Sequence, residues 1–87
     1  MNKEKIKELF ESGHYYLINN DFRIRTKVKE VNIDNSKVCI YLIGPGVVDV
    51  YLDSIYKVSK IIGLSRTFSW CYKLTNLKGE CIGYIGN

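Results

Sequence analysis

Apolar side chains recur at every second position through much of this chain, and this period constrains the fold more than any other feature. Successive side chains of a β-strand point to opposite faces, so such an alternation predicts strands with one buried face. The pattern predicts four strands: HYYLI at 14–18, FRIRTKVKEV at 22–31, KVCIYLI at 37–43 and VVDVYL at 47–52. Turn sequences rich in Asn, Asp, Gly and Ser separate them, so we expect an antiparallel meander over about residues 14–52.

Other patterns flank the meander. Residues 3–12 have the spacing of a short amphipathic helix, which Gly13 would end in a left-handed cap. The apolar face of this helix consists of Ile6, Leu9 and Phe10. Residues 54–62 fit a short helix or a strand, with the helix favoured, and residues 67–85 fit a β-hairpin.

Because the chain has only 87 residues, we expect a single domain, 1–87. We therefore expect an α+β fold that is mostly β. An N-terminal helix packs on a small, strongly bent antiparallel β-sheet or barrel, and the chain ends in the hairpin. A chain of this size depends on a few well-packed elements, because it buries only about 60–65% of its unfolded surface.

The segment VVDVYLDSIYKV leads one apolar strand directly into another apolar segment. In the order and spacing of its elements, the chain from about residue 4 to residue 60 resembles the small β-barrels of the Sm-like type. No signature motif of that family is present in the sequence. The resemblance implies a barrel-like layout and assigns no functional residues.

The chain has three cysteines, an odd number and too few for a disulfide framework. The turn at 76–79 reads as a type I turn ending in a left-handed glycine, a register that sets Cys71 opposite Ile85. Cys81 then lies four residues from Cys71 along the sheet, beyond disulfide reach, so we expect Cys39, Cys71 and Cys81 all to be thiols. One face of the hairpin, expected in the core, carries Trp70, Tyr72, Leu74, Ile82 and Tyr84.

Little in the sequence supports catalysis. His14 is the single histidine, and the chain contains no CxxC or CxH knuckle of the kind that zinc sites use. Asp49 and Asp53 share a strand face but lie about 13 Å apart along it, too far to act on one bond. The GPG at 44–46 lacks the lysine and helix start of a phosphate loop. We expect no enzyme activity, no catalytic or metal-binding residues and no cofactor.

The stretch FRIRTKVK places basic residues at alternate positions of one strand. With Phe22, Ile24, Thr26 and Val28 in the core, the outer face carries Arg23, Arg25, Lys27 and Lys29. Neighbouring cations in this row stand about 6.8 Å apart and repel each other, a repulsion that an anionic ligand relieves. Successive phosphates of a single nucleic-acid strand have a similar spacing, so the row predicts binding of nucleic acid or a phosphate-bearing nucleotide. A solvated face, partly balanced by Asp49 and Asp53, is equally consistent with the pattern.

Tyr41 and Tyr51 are expected on the same outer face as the basic row. Aromatic rings beside cations can stack nucleobases, and Tyr and Arg are also favoured anchors of protein interfaces. The sequence therefore predicts a site made of Arg23, Arg25, Lys27, Lys29, Tyr41 and Tyr51. Its ligand is nucleic acid or a nucleotide, with a protein partner as the alternative.

The net charge of +4 permits an anionic partner. A small chain rich in Lys, Ile, Asn and Tyr also resembles many small proteins of phages and mobile elements from AT-rich genomes. That resemblance implies an inhibitor of a host defence protein, or a protein that sequesters its nucleotide signal. No apolar run reaches membrane-spanning length and MNKEKIKE is not a signal peptide, so we expect a cytoplasmic protein with no membrane partner. Open strand edges would also permit a homo-oligomer.

Overall fold

The computed structural model describes residues 3–18, 26–44, 46–62 and 68–87. These residues form one α-helix, α1 (Lys3–Ser12), followed by seven β-strands. The strands are β1 (Tyr15–Leu17), β2 (Thr26–Ile33), β3 (Lys37–Leu42), β4 (Gly46–Tyr51), β5 (Lys57–Lys60), β6 (Cys71–Thr75) and β7 (Cys81–Gly86). The mostly β architecture with an N-terminal helix, expected from the sequence, is confirmed.

The strands form one antiparallel sheet in the order β4-β3-β2-β1-β7-β6-β5. Residues 52–56 alone join the two edge strands, β4 and β5. The edges of a flat sheet would be about 29 Å apart, whereas the six residue steps of this connection reach at most about 21 Å. The sheet therefore bends strongly. It does not close into the barrel that the sequence suggested, because no ladder joins β4 to β5 in the described chain, and the Sm-like layout is not confirmed.

The connection between the edge strands corrects a second expectation. Leu52–Ser54 form a short 3-10 helix, and Lys57–Lys60 then form β5, although the sequence favoured a helix over residues 54–62. Lys57 lies opposite Thr75 and Lys60 opposite Tyr72. Pairing with β6 provides partners for the backbone of this segment, and its β-branched residues suit a strand.

The main core lies on the concave side of the bent sheet, under α1. Ile6 and Phe10 of the helix are 1% exposed, and α1 contacts β2 and β7. Their partners from the sheet include Val38, Ile40, Val50, Leu74 and Ile85. A second, smaller cluster consists of Leu17, Phe68, Cys71 and Tyr84. Side chains from all seven strands thus pack in or against the main core and stabilise the bent sheet.

A β-bulge in β2 resets which residues face the core. The pairing with β3 shifts between Val28 and Glu30, which makes Lys29 the additional residue. Val28 packs against the main core before the bulge, and Val31 and Ile33 do so after it. The alternation inferred from FRIRTKVK therefore ends at Lys29, because an extra residue shifts the period of two by one position.

A second bulge lies near the start of β7, where Ile82 is the additional residue, and it changes the register with β6. Cys71 lies opposite Gly86 instead of Ile85, the partner expected from the turn. A shift of one residue moves side chains to the other face of a strand pair. Ile85 consequently belongs to the main core, whereas Tyr84, expected there, lies in the second cluster with Cys71.

Asn76 organises the turn between β6 and β7. Its Oδ1 accepts hydrogen bonds from the backbone N–H groups of Lys78 and Glu80, at 3.0 and 2.9 Å. The N–H of Asn76 donates to the carbonyl of Glu80 at 3.0 Å. Gly79 has φ 84°, the left-handed conformation that the turn sequence predicts.

Candidate functional site

The convex face of β2, β3 and β4 carries the described part of the predicted anion site. Lys27 and Lys29 are exposed on β2, and neither forms an ion pair with another residue that the structure describes. Tyr41 of β3 is half-buried and lies opposite Glu30, the residue after Lys29. The structure thus brings Lys27, Lys29 and Tyr41 together on one face.

The other predicted site residues do not join this group. Tyr51 is 55% exposed on β4, on the same face, but it lies opposite Lys37 at the far end of the strand pair. Four residue positions, about 13 Å, separate it from Val47, which lies opposite Tyr41. Arg23 and Arg25 are outside the described residues.

Acidic residues lie on this face as well. Glu30 and Asp49 are both exposed, and Asp49 is opposite Cys39 of β3. Asp53, which the sequence also placed here, lies in the 3-10 helix, and its Oδ1 is 2.6 Å from Nζ of Lys3 in α1. Asp53 therefore neutralises a helix lysine instead of the lysines of β2.

The Tyr41 hydroxyl lies within a small polar group on the outer face. Its hydrogen bond with the Cys39 side chain favours the protonated phenol and holds the pKa of Tyr41 above its usual value. The negative charge of Glu30 acts in the same direction, and a hydrogen bond with Asn32 acts against it. Tyr41 is thus a neutral hydrogen-bonding group with an accessible ring, next to two cations.

Apolar side chains adjoin this group near the free edge of the sheet. Ile43 is 56% exposed and Val47 is 54% exposed, and Val47 belongs to the edge strand β4. Val47 lies opposite Tyr41, so the aliphatic and aromatic surfaces are neighbours. Large apolar side chains of this exposure beside unpaired backbone groups are typical of an interaction surface.

A separate concave surface lies between α1 and strands β5 and β6, and the sequence did not predict it. This groove has a volume of about 650 Å³, within the range of small-molecule sites. The helix lines it with one face at i, i+3, i+4 and i+7 spacing, namely Lys5, Glu8, Leu9 and Ser12. The opposite wall consists of Lys60, Ser69, Trp70 and Tyr72.

Trp70 and Tyr72 are the main aromatic residues of the groove. Both are half-buried and pack against the main core, where the sequence placed them, but both also line the groove. Their ring centroids are 5.8 Å apart and the ring planes are inclined by 54°. The sequence feature that could have indicated this groove is the shortness of α1, because so short a helix has too few apolar residues to cover both rings.

The described histidine, cysteine and acidic side chains do not form a further site. Within the described ranges no three His, Cys, Asp or Glu side chains are placed to hold a metal ion. Nδ1 of His14 is 2.9 Å from Oδ1 of Asn87. Cys39, Cys71 and Cys81 are all free thiols, and burial raises the pKa of Cys71 to about 11. No helix in the described part of the chain has the length and apolar character needed to cross a membrane.

No protein-family model matches the chain, and searches of curated proteins and of solved structures find no significant match.

Proposed function

We propose that this protein is a non-enzymatic binding protein that holds an anionic ligand, nucleic acid, on the convex face of β2. The observation that supports this proposal most directly is the exposure of Lys27 and Lys29 without an ion-pair partner among the described residues. Tyr41 lies next to them with a half-accessible ring. Cations for phosphates beside a ring for a base are the two elements of a single-strand binding surface.

The shape of this face favours an extended ligand. It is the outside of a bent sheet, so an extended polymer can pass along it. Arg23 and Arg25 extend the row in the proposal, as the sequence pattern predicts. Glu30 and Asp49 restrict the path of the phosphates to residues 26–29 at the start of β2, because a phosphate near either carboxylate is repelled.

The test is fluorescence anisotropy with a labelled single-stranded oligonucleotide, titrated at several salt concentrations. Each phosphate contact contributes about 0.7 to the slope of log affinity against log salt. The double variant Lys27→Ala/Lys29→Ala should bind more weakly and lose about 1.4 of that slope. The matched control is Lys57→Ala/Lys78→Ala, which removes the same charge from two exposed lysines outside this face.

An equal loss in the control variant would contradict the proposal, since it would show attraction by net charge alone. Binding that does not depend on salt, or no binding by the unmodified protein, would contradict it as well. Tyr41→Ala should weaken binding by about 1–3 kcal/mol if the ring stacks on a base, and Tyr41→Phe should retain the affinity.

The second candidate function is a protein-interaction module, and the exposed apolar residues beside the edge strand support it. Val47 and Tyr51 are more than half exposed on β4, and Ile43 adjoins them. A partner strand could pair with this edge, as in an inhibitor that covers or blocks its target. Affinity purification after nuclease treatment distinguishes the two candidates: a stoichiometric protein retained by the natural chain and lost with Val47→Asp supports the interaction module.

A further inference from the structure

We propose that the groove between α1 and strands β5 and β6 binds a nucleoside phosphate, with its base on Trp70 or Tyr72 and its phosphate at Lys60. This site is separate from the convex face of β2, because all of its described residues come from α1, β5, β6 and the two residues just before β6. It adds a second, concave site of about 650 Å³ to a protein whose other candidate surface is convex.

Backbone hydrogen bonds fix the positions of the two aromatic residues. Tyr72 lies in β6, between Lys60 of β5 and Ile85 of β7, so backbone pairing fixes it on both sides. Trp70 exchanges backbone hydrogen bonds with Asn87, at 3.0 and 3.4 Å. A ring that is already immobilised loses little entropy when a base stacks on it, so these two half-buried aromatics suit this role.

The charges of the groove indicate which end of the ligand lies where. Lys60 lies opposite Tyr72 on the neighbouring strand, so its ammonium group and the ring share one side of the sheet. Lys5 adds a second cation from the helix wall. Glu8 is the one carboxylate among the described lining residues, and it repels phosphate while accepting hydrogen bonds from ribose hydroxyls or a base amino group.

This combination selects the chemical class of the ligand. An apolar ligand would make no favourable polar contact with Lys60 or Glu8, and inorganic phosphate would make no contact with the aromatic rings. A molecule with a flat ring, hydrogen-bond donors and a phosphate uses all three kinds of group. A nucleoside phosphate unit has these parts, either as a free nucleotide or as one residue of a single strand.

Trp70 is the single tryptophan of the chain, so its fluorescence reports directly on this groove. We expect AMP to quench the emission in a saturable manner and adenosine to bind at least tenfold more weakly. Inorganic phosphate alone should leave the emission unchanged. Lys60→Ala should weaken AMP binding about tenfold, the loss expected for one charge-assisted hydrogen bond. Lys57→Ala is the matched control on the opposite face of β5 and should have no effect.

Two further arms complete the test. A short oligoadenylate compared with AMP distinguishes the source: quenching by both indicates a free nucleotide site, and quenching by the oligonucleotide alone indicates a single strand. The absence of saturable quenching by either, or quenching that Lys60→Ala leaves unchanged, would overturn the proposal. Lys27→Ala/Lys29→Ala should leave AMP quenching intact, so failure of the convex site and failure of the groove are distinguishable.

Discussion

Replacing Gly83 with alanine tests how tightly β7 packs against β1. A Cβ atom at this position would stand 2.7 Å from Cζ of Tyr16, closer still to the Tyr16 hydroxyl oxygen, and 3.0 Å from the carbonyl oxygen of Leu17. The Tyr16 side chain is 1% exposed, so its ring has no room to move away. Leu17 lies in the β1–β7 ladder, which also restrains the backbone.

Two opposing effects determine the stability of Gly83→Ala. Overpacking of a filled core costs about 1–3 kcal/mol. Alanine restricts the unfolded chain more than glycine does, which stabilises the folded state by about 0.4–1 kcal/mol. The contact with Tyr16 is severe, so the packing cost exceeds the entropic gain. We expect a net loss of about 1–2 kcal/mol in the free energy of unfolding, and a Tm lower by about 5–10 °C.

The assay is urea denaturation of four proteins: the natural chain, Gly83→Ala, Tyr16→Phe and the double variant. Tyr16→Phe removes the oxygen atom nearest to the new methyl group, so the double variant should regain part of the loss caused by Gly83→Ala. The coupling energy of this cycle should be at least about 0.5 kcal/mol. A Gly83→Ala protein as stable as the natural one, or a cycle without coupling, would refute the reasoning.

Three further predictions concern stability and reactivity. Burial raises the pKa of Tyr16 to about 12 and of Cys71 to about 11 from ordinary values of 10.0 and 9.0, so the unfolded chain loses these protons first. The free energy of unfolding should therefore fall between pH 9 and pH 12, by about 2–3 kcal/mol for each group, and Tyr16→Phe should flatten the part above pH 10 in urea titrations. Asn76→Ala should cost about 1–2 kcal/mol because two backbone N–H groups lose their acceptor, while Asn76→Asp, which keeps it, should remain near the natural stability. Mass spectrometry after brief alkylation should find exposed Cys81 modified and buried Cys71 unmodified, and Cys71 should react only after unfolding.

The parts of the fold that the sequence predicts well are those that local patterns determine. The spacing of Ile6, Leu9 and Phe10 was sufficient for α1, and alternation was sufficient for β3, whose Val38, Ile40 and Leu42 are buried. A strand with one buried face has the same period whatever its neighbours are, so no knowledge of the partner strand is needed.

The bulges were not predictable from these patterns. Each inserts one residue into a strand at a point set by the pairing with the next strand, and no local property of Lys29 marks it as the additional residue. The consequence extends to the faces of a second strand: Tyr84 and Ile85 exchange environments because of one additional residue, Ile82, in β7. Assignment of faces from alternation is therefore reliable up to a bulge and reversed beyond it.

The candidate surfaces also differ in how far local sequence patterns predict them. Lys27 and Lys29 lie outside, where alternation before the bulge places them, and Tyr41 follows from the same rule on β3. The groove depends on α1 lying beside β5 and β6, which follow it by about 45 to 60 residues along the chain. Trp70 was assigned to the core because its strand pattern indicates a buried face, and that pattern contains no information on how much of the face the helix covers.

The unclosed sheet explains why this small protein has two distinct surfaces. In a closed barrel β4 would pair with β5, and both the free edge beside Val47 and the open side beside Lys60 would disappear. Here α1, ten residues and about 15 Å long, covers the concave side only in part. The edge strand consequently keeps exposed apolar residues, and the uncovered part of the concave side remains as the groove next to Trp70. The edge surface beside Val47 and the groove thus depend on the short helix and the open sheet, so a change that lets β4 pair with β5 should remove both, whereas Lys27 and Lys29 should stay exposed on the convex face.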